Sequence, residues 1–160
     1  MSNQQKTRRY LEAVYHQRYK PLPNARKGFC AYCGLPAETL DHCPALTTVI
    51  GVGTQYCEDN NIPLYLVPSC RECNGLIGAK VLWTFEDRKQ FAAKRLKSRY
   101  KKILGLPAWT TDEIEQLGRG LKSMVKAKED LRKISVRRVA FAEDIYSFSN
   151  HLDPETSSAT

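Results

Sequence analysis

The sequence predicts a small α+β protein whose fold depends on bound zinc. Two Cys-x-x-Cys pairs occur in the first half of the chain, and two short extended segments lie between them. Amphipathic helical patterns precede and follow this region. At 160 residues, the chain is long enough for one globular domain with an extension and too short for two full-sized domains.

The composition is typical of a folded, soluble protein. Hydrophobic residues make up 42% of the chain and charged residues 26%. No apolar run approaches the roughly 18 to 20 residues of a membrane span, and the N-terminal segment lacks the apolar block of a signal peptide. We therefore expect a cytoplasmic protein with no membrane contact. In that reducing compartment, the six cysteines are expected to be metal ligands or buried thiols rather than disulfides.

The net charge of +8 is unevenly distributed along the chain. Residues 30–79 contain one basic residue against five acidic ones, whereas residues 1–29 and 80–105 are strongly basic. An acidic centre between basic segments is suited to a protein that holds a divalent cation and binds a polyanion. The alternative is that the basic segments are only the solvated faces of lysine-rich helices.

The first half of the chain is predicted to contain a helix and two strands. A helical pattern over 4–20 is expected to stop at Pro21. The segments 38–43 and 64–67 are predicted to be extended. Between them, 45–61 contains two glycines and a polar run, which predicts a long loop.

The second half is predicted to be helical. Apolar residues recur at helical spacing over 86–104, and Thr110 with Glu113 has the spacing of a capping box before a further helix that reaches about residue 131. A last helix is predicted over 137–150. The predicted organisation is an N-terminal basic helix, a central core with its basic helix, a helical C-terminal extension and a disordered tail, at 1–27, 28–105, 106–152 and 153–160.

The two cysteine pairs predict one structural zinc site. Each pair can form a turn with two thiolates, and four thiolates complete a tetrahedral Zn²⁺ site with Zn–S distances of ~2.3 Å. The predicted ligands are Cys30, Cys33, Cys70 and Cys73. Redox chemistry or ordinary buried thiols are the alternatives, and two matched pairs favour zinc over both. Cys43 and Cys57 are predicted to be small buried side chains.

A second candidate site lies between the cysteine pairs. Asp41 and His42 adjoin on an extended segment just before Pro44, and Asn74 directly follows the last cysteine of the second pair. Imidazole titrates near neutrality and suits a general base, and carboxylate and amide oxygens are ligands for Mg²⁺ or Mn²⁺. His16 and His151 have no such neighbours in the sequence and are predicted to be bystanders.

Taken together, these motifs resemble those of the HNH endonucleases, the zinc-binding branch of the ββα-metal (His-Me finger) nucleases. The resemblance covers about residues 28–80, half of the chain. It implies a zinc-stapled ββα-metal core with flanking N-terminal and C-terminal helices. One position departs from the family pattern: Tyr65 stands where members commonly have the middle Asn, which orients the base.

The resemblance implies a metal-dependent hydrolase that cleaves phosphodiester bonds of nucleic acid, with double-stranded DNA as the expected partner. His42 resembles the general base, and Asp41 and Asn74 resemble the ligands of a catalytic Mg²⁺ or Mn²⁺. The alternatives are a catalytically silent zinc-ribbon module that binds nucleic acid, or an interaction module. In the latter, the C-terminal helices would meet a protein partner or a second copy of the chain.

The helix over 86–104 is the predicted surface for nucleic-acid phosphates, because the acidic centre cannot supply that contact. Its residues carry no base-reading motif, so no sequence preference is expected. The predicted contacts are Arg88, Lys94, Arg95, Lys97 and Lys101.

Overall fold

The computed structural model describes residues 3–148, which contain eight helices and three strands. The helices are α1 (Asn3–His16), α2 (Leu46–Val52), α3 (Thr54–Asp59), α4 (Arg71–Ile77), α5 (Phe85–Arg99), α6 (Lys101–Leu104), α7 (Thr111–Glu115) and α8 (Arg119–Glu143). The strands are β1 (Lys20–Pro21), β2 (Thr39–Cys43) and β3 (Tyr65–Ser69). The predicted α+β class is therefore confirmed.

The three strands form one small sheet with the order β1-β3-β2. Strands β2 and β3 pair antiparallel, with His42 opposite Leu66, and α4 begins directly after β3. The two predicted extended segments are these strands, with ends shifted by up to two residues. The antiparallel pair of β2 and β3 is thus followed by a helix, α4, whose N-terminus carries the second cysteine pair.

The N-terminal helix is shorter than predicted because its end becomes an edge strand. Helix α1 stops at His16, and Lys20–Pro21 pairs parallel with β3. The N–H of Lys20 donates to the carbonyl of Leu64 at 2.9 Å, and the N–H of Leu22 donates to Leu66 at 3.0 Å. Pro21 has no N–H to donate, which suits an edge position.

The prediction of a loop over 45–61 is wrong, because this segment forms α2 and α3. The two helices bury Val49 and Cys57 against Tyr19 in a small core of their own. Gly53, with φ of 84°, separates them. Gly53 allows a sharp turn between two short helices, whereas Gly51 lies inside α2. Burial of apolar side chains stabilises the two helices despite their short length.

The main core lies between the sheet, the cysteine turns and the C-terminal helices. Its fully buried members include Tyr32, Val67 and Leu96, the last on α5. The predicted helix over 86–104 is two helices, α5 and α6, which meet at Tyr100. Cys43 and Cys57 are 1% exposed, as predicted for small buried side chains.

The C-terminal extension is helical as predicted, but its two long predicted helices are one. Thr110 and Glu113 form the predicted capping box at the start of α7, and α8 then runs for 25 residues. No helix among residues 3–148, α8 included, is long and apolar enough to cross a membrane. The predicted disordered tail at 153–160 and His151 lie outside the described residues.

Candidate metal centre and histidine site

The four predicted zinc ligands lie together in the main core. The sulfur atoms of Cys30, Cys33, Cys70 and Cys73 all lie within 4.8 Å of one another, and all four side chains are buried. The Sγ atoms of Cys33 and Cys70 are 3.7 Å apart. Four converging thiols with this spacing could hold a metal ion such as zinc.

Backbone geometry directs both cysteine pairs to the same point. The first pair lies in a turn closed by the Phe29–Pro36 bridge, in which Gly34 has φ of 74°. In the second pair, Cys70 is the N-cap of α4, and its Sγ accepts from the N–H of Cys73 at 3.4 Å. A helix start and a glycine turn therefore bring four sulfurs from distant parts of the chain together.

A buried arginine tests whether this cluster suits a metal-bound form. Arg138 is 5% exposed, and its Nε and Nη2 have no hydrogen-bond partner among the described residues. Burial opposes its charge, but Cys33 and Glu72 hold the pKa of Arg138 well above its usual value. A buried cation with unpaired donors beside the cysteine turns suits cysteines that are thiolates, as they are when they bind zinc. The residues present therefore fit zinc.

The side chain of Asp41 is buried within the domain. It is 5% exposed, and its Oδ2 accepts from the hydroxyl of Tyr32 at 2.6 Å. Arg88 on α5 donates to Oδ1 through Nη2 at 2.8 Å and to Oδ2 through Nε at 3.0 Å. Burial opposes the charge of Arg88, but Asp41 holds the pKa of Arg88 above its usual value. The two residues form a buried ion pair with two-point geometry.

Two site predictions need correction on this account. Arg88 is 0% exposed, so it cannot contact nucleic acid from the surface of α5 as predicted. Asp41 uses both carboxylate oxygens on Arg88, so in this structure it is not open to the predicted Mg²⁺ or Mn²⁺. The helical pattern placed Arg88 among exposed basic residues, and no pattern in the sequence indicated its partner on β2.

His42 points away from Asp41, as adjacent residues on a strand must. Its ring is half-buried, and its Nε2 lies 2.8 Å from Nδ1 of His16 on α1. The ring of Tyr19 meets it edge-on, with ring centroids 4.8 Å apart. Burial, His16 and Arg88 lower the pKa of His42 below its usual value. The imidazole is therefore held in place and kept neutral, which suits a general base.

No spacing in the sequence indicated that His16, predicted to be a bystander, contacts His42. Its partner lies 26 positions away, and α1 comes beside the end of β2 because it packs against α2, the helix that follows β2 in the chain. Two separated histidines carry no sequence spacing that predicts such contact.

Asn74 lies on α4 beside the start of β2. Its Nδ2 donates to Oγ1 of Thr39 at 3.2 Å and approaches the carbonyl of Leu40 at 3.5 Å. The amide thus links α4 to the strand that carries Asp41 and His42. Tyr65, at the position of the expected middle Asn, packs against the main core.

The remaining predicted phosphate contacts are exposed. Lys94, Arg95, Lys97 and Lys101 are all on the solvent side of α5 and α6. Lys97 forms an ion pair with Glu143 of α8, with Nζ 2.8 Å from Oε1. A surface pair of this kind is weak, so a phosphate can compete for the lysine.

Comparison with known proteins identifies no relative. No family model matches the chain, and neither a curated protein nor a solved structure matches it. The functional argument therefore depends on the chain's own residues.

Proposed function

We propose that this protein is a zinc-stapled, HNH-type endonuclease that hydrolyses phosphodiester bonds of nucleic acid with His42 as the general base. The observation that carries the proposal is the placement of His42. Its half-buried, neutral imidazole is held by a hydrogen bond with His16. Its strand, β2, pairs antiparallel with β3, which leads directly into the second cysteine pair of the cluster. Double-stranded DNA is the expected substrate because of the HNH resemblance.

The chemistry assigned to His42 is removal of a proton from the attacking water. When Nε2 of His42 carries the proton and donates a hydrogen bond to Nδ1 of His16, the free lone pair of His42 is on its Nδ1 atom. That Nδ1 atom accepts the proton of the attacking water. The oxygen of the water then bonds to phosphorus as the bond to the leaving oxygen breaks, and the leaving oxygen takes up a proton from solvent, to which His42 afterwards releases its own. General-base catalysis of this kind is worth about 10²–10⁴-fold in rate.

A catalytic Mg²⁺ or Mn²⁺ held by Asp41 and Asn74 does not fit this arrangement. Arg88 occupies both oxygens of the carboxylate, and an ion could bind there only if that pair opened. We therefore assign no step to such an ion. Zinc at the cysteine cluster would hold the fold, because all four positions of a tetrahedral site would be filled by sulfur.

A cleavage assay tests the proposal. Supercoiled plasmid, double-stranded DNA and single-stranded RNA are incubated with the zinc-loaded protein, with Mg²⁺, with Mn²⁺ or with EDTA, and the products are resolved on gels. We expect nicked or linear DNA from the unaltered protein. Cleavage that requires added Mg²⁺ would show that the Asp41–Arg88 pair opens, and absence of cleavage of all substrates would contradict the proposal.

A catalytically silent zinc module that binds nucleic acid is the second candidate, and the Asp41–Arg88 pair is the observation that favours it. A carboxylate committed to arginine holds structure rather than a reacting ion. In that case the protein would bind nucleic acid with strong salt dependence and leave it intact.

We predict that Asp41→Asn destabilises the protein by about 3–5 kcal/mol, because it leaves Arg88 buried without a compensating charge. Urea unfolding followed by circular dichroism measures the change. The matched control is Glu38→Gln, which removes an exposed pair with Arg71 at 3.4 Å and should cost about 0–1 kcal/mol. Equal costs for the two variants would show that the Asp41 pair contributes no more than a surface pair.

We predict that replacing Lys94, Lys97 and Lys101 together by Ala weakens binding to all DNA sequences about equally. The logarithmic salt slope of the binding constant should become shallower by up to about three, since each phosphate contact contributes about 0.9. Fluorescence anisotropy at several salt concentrations measures it. The triple change to Arg keeps the charge and should bind as the unaltered protein does. An unchanged slope in the Ala variant would exclude this surface from backbone contact.

We predict that His16→Ala moves the pH dependence of cleavage to higher pH and lowers the rate several-fold at neutral pH. His16 is one cause of the lowered pKa of His42, so its removal raises that pKa, and the neutral base is then populated only at higher pH. Rates measured across the acidic-to-neutral range test this. A profile that stays in place, or moves to lower pH, would contradict a role for His16 at the base.

A further inference from the structure

Two buried cations join the cysteine turns to the helices around them. Lys89 on α5 donates from Nζ to the carbonyl of Ala31, inside the first turn, at 3.0 Å. Arg138 on α8 lies 2.7 Å, through Nη1, from Oε2 of Glu72, inside the second turn. Each cysteine turn is therefore in contact with a positively charged side chain, the first with Lys89 of α5 and the second with Arg138 of α8.

Arg138 has more hydrogen-bonding capacity than its carboxylate partner uses. Nη1 serves both Glu72 and the hydroxyl of Tyr100, the latter at 2.6 Å. Nε and Nη2 are buried and have no partner among residues 3–148. Buried donors in folded proteins normally have a hydrogen-bond partner, so Glu72 alone does not account for the placement of this guanidinium.

The first cysteine turn, which includes Cys33, lies on the same side of α8 as Arg138, because Phe141, three residues further along the helix, packs on Gly34. Cys33 is also among the groups that hold the pKa of Arg138 above its usual value, against the opposing effect of burial. Four thiolates around Zn²⁺ carry a net charge of about −2, which is costly to bury unless nearby donors compensate it. Guanidinium N–H groups that point at a metal-bound sulfur provide that compensation.

Helix α8 also lies directly on the first cysteine turn. A Cβ added at Gly34 would be 3.0 Å from Cδ2 of Phe141, so the helix and the turn leave no room for a larger residue there. Gly34 has positive φ as well. The C-terminal half of α8 thus contacts the first turn through Phe141 and the second turn through Arg138.

We propose that Arg138 donates its two partnerless nitrogens to the Cys33 thiolate of the zinc-loaded cluster, and that zinc loading thereby secures the C-terminal half of α8 against the cysteine turns. The coupling is reciprocal, because contact with α8 then raises the affinity of the cluster for zinc. The proposal is independent of catalysis, and its test uses metal affinity and spectroscopy.

The experiment compares Arg138→Met with Arg137→Met in the full chain. Arg137 is the exposed neighbour on the same helix, so the pair is matched in charge and position. Competition with a chelator should show about 10–100-fold weaker zinc binding for Arg138→Met and no change for Arg137→Met. With Co²⁺ in place of zinc, the thiolate-to-metal charge-transfer bands should shift only in Arg138→Met.

Hydrogen exchange on the zinc-loaded proteins supplies the structural readout. Amides of 136–143 should exchange faster in Arg138→Met than in Arg137→Met, while those of 121–130 are unaffected. Faster exchange with unchanged zinc affinity would overturn the proposal, because it would mean that Arg138 acts through Glu72 alone. If Arg138→Met does not fold, Arg138→Lys keeps the charge but lacks the forked donors. It should bind zinc more weakly than the unaltered protein, and equal affinity would overturn the proposal.

Discussion

His42→Ala is expected to lower the rate of phosphodiester cleavage by about 10²–10⁴-fold while nucleic-acid affinity and zinc content stay unchanged. The side chain is half-buried at the sheet surface and holds no part of the main core, so its removal deletes the base without loss of fold. Single-turnover cleavage of plasmid DNA measures the rate, and anisotropy measures binding.

The matched control for this variant is His151→Ala, which removes a histidine from a different part of the chain and should cleave at the parental rate. A second comparison uses His42→Gln, which retains a polar side chain but has no basic nitrogen, and should be as slow as His42→Ala. Cleavage by His42→Ala at the parental rate would mean that another group activates the water.

Cys73→Ser is expected to abolish soluble, folded protein. Cys73 is fully buried, and its sulfur is one of four that converge in the main core. Structural zinc sites contribute about 10–16 kcal/mol at neutral pH, which is as large as the whole stability of a typical domain, about 5–15 kcal/mol. Circular dichroism and the soluble fraction after expression measure the loss.

Cys57→Ser is the control for this prediction, since Cys57 is as buried as Cys73 but lies in the small core with Tyr19 and Val49. It should cost no more than a typical core substitution, about 1–3 kcal/mol, and leave the protein folded. A folded Cys73→Ser protein with parental stability would show that the cluster is not a structural metal site.

The sequence was sufficient for the parts of the fold that depend on local pattern. The two strands, the capping box at Thr110 and the convergence of four cysteines follow from residue type and spacing, because turns, caps and tetrahedral metal sites have fixed local geometry. The α+β fold class and the candidate metal centre were predictable for that reason.

Contacts between distant segments were not predictable. The basic residues around Arg88 on α5 predict that it is exposed. In the structure it is buried, and the carboxylate of Asp41 on β2 compensates its charge. His16 is predicted to be a bystander because no candidate site residue lies near it in the sequence. Its contact with His42 arises only once α1 packs beside β2. The glycines and polar residues of segment 45–61 predict a loop. Helices form there because they bury Val49, a contact that local helix propensity does not reveal.

Native mass spectrometry of the purified protein tests the central claim of a zinc-dependent fold most directly. We predict one zinc ion per chain, with the four cluster thiols protected from alkylation until zinc is removed by a chelator, after which the protein unfolds and all six thiols react. A folded protein that contains no zinc, and in which all of the cluster cysteines react freely, would contradict this account.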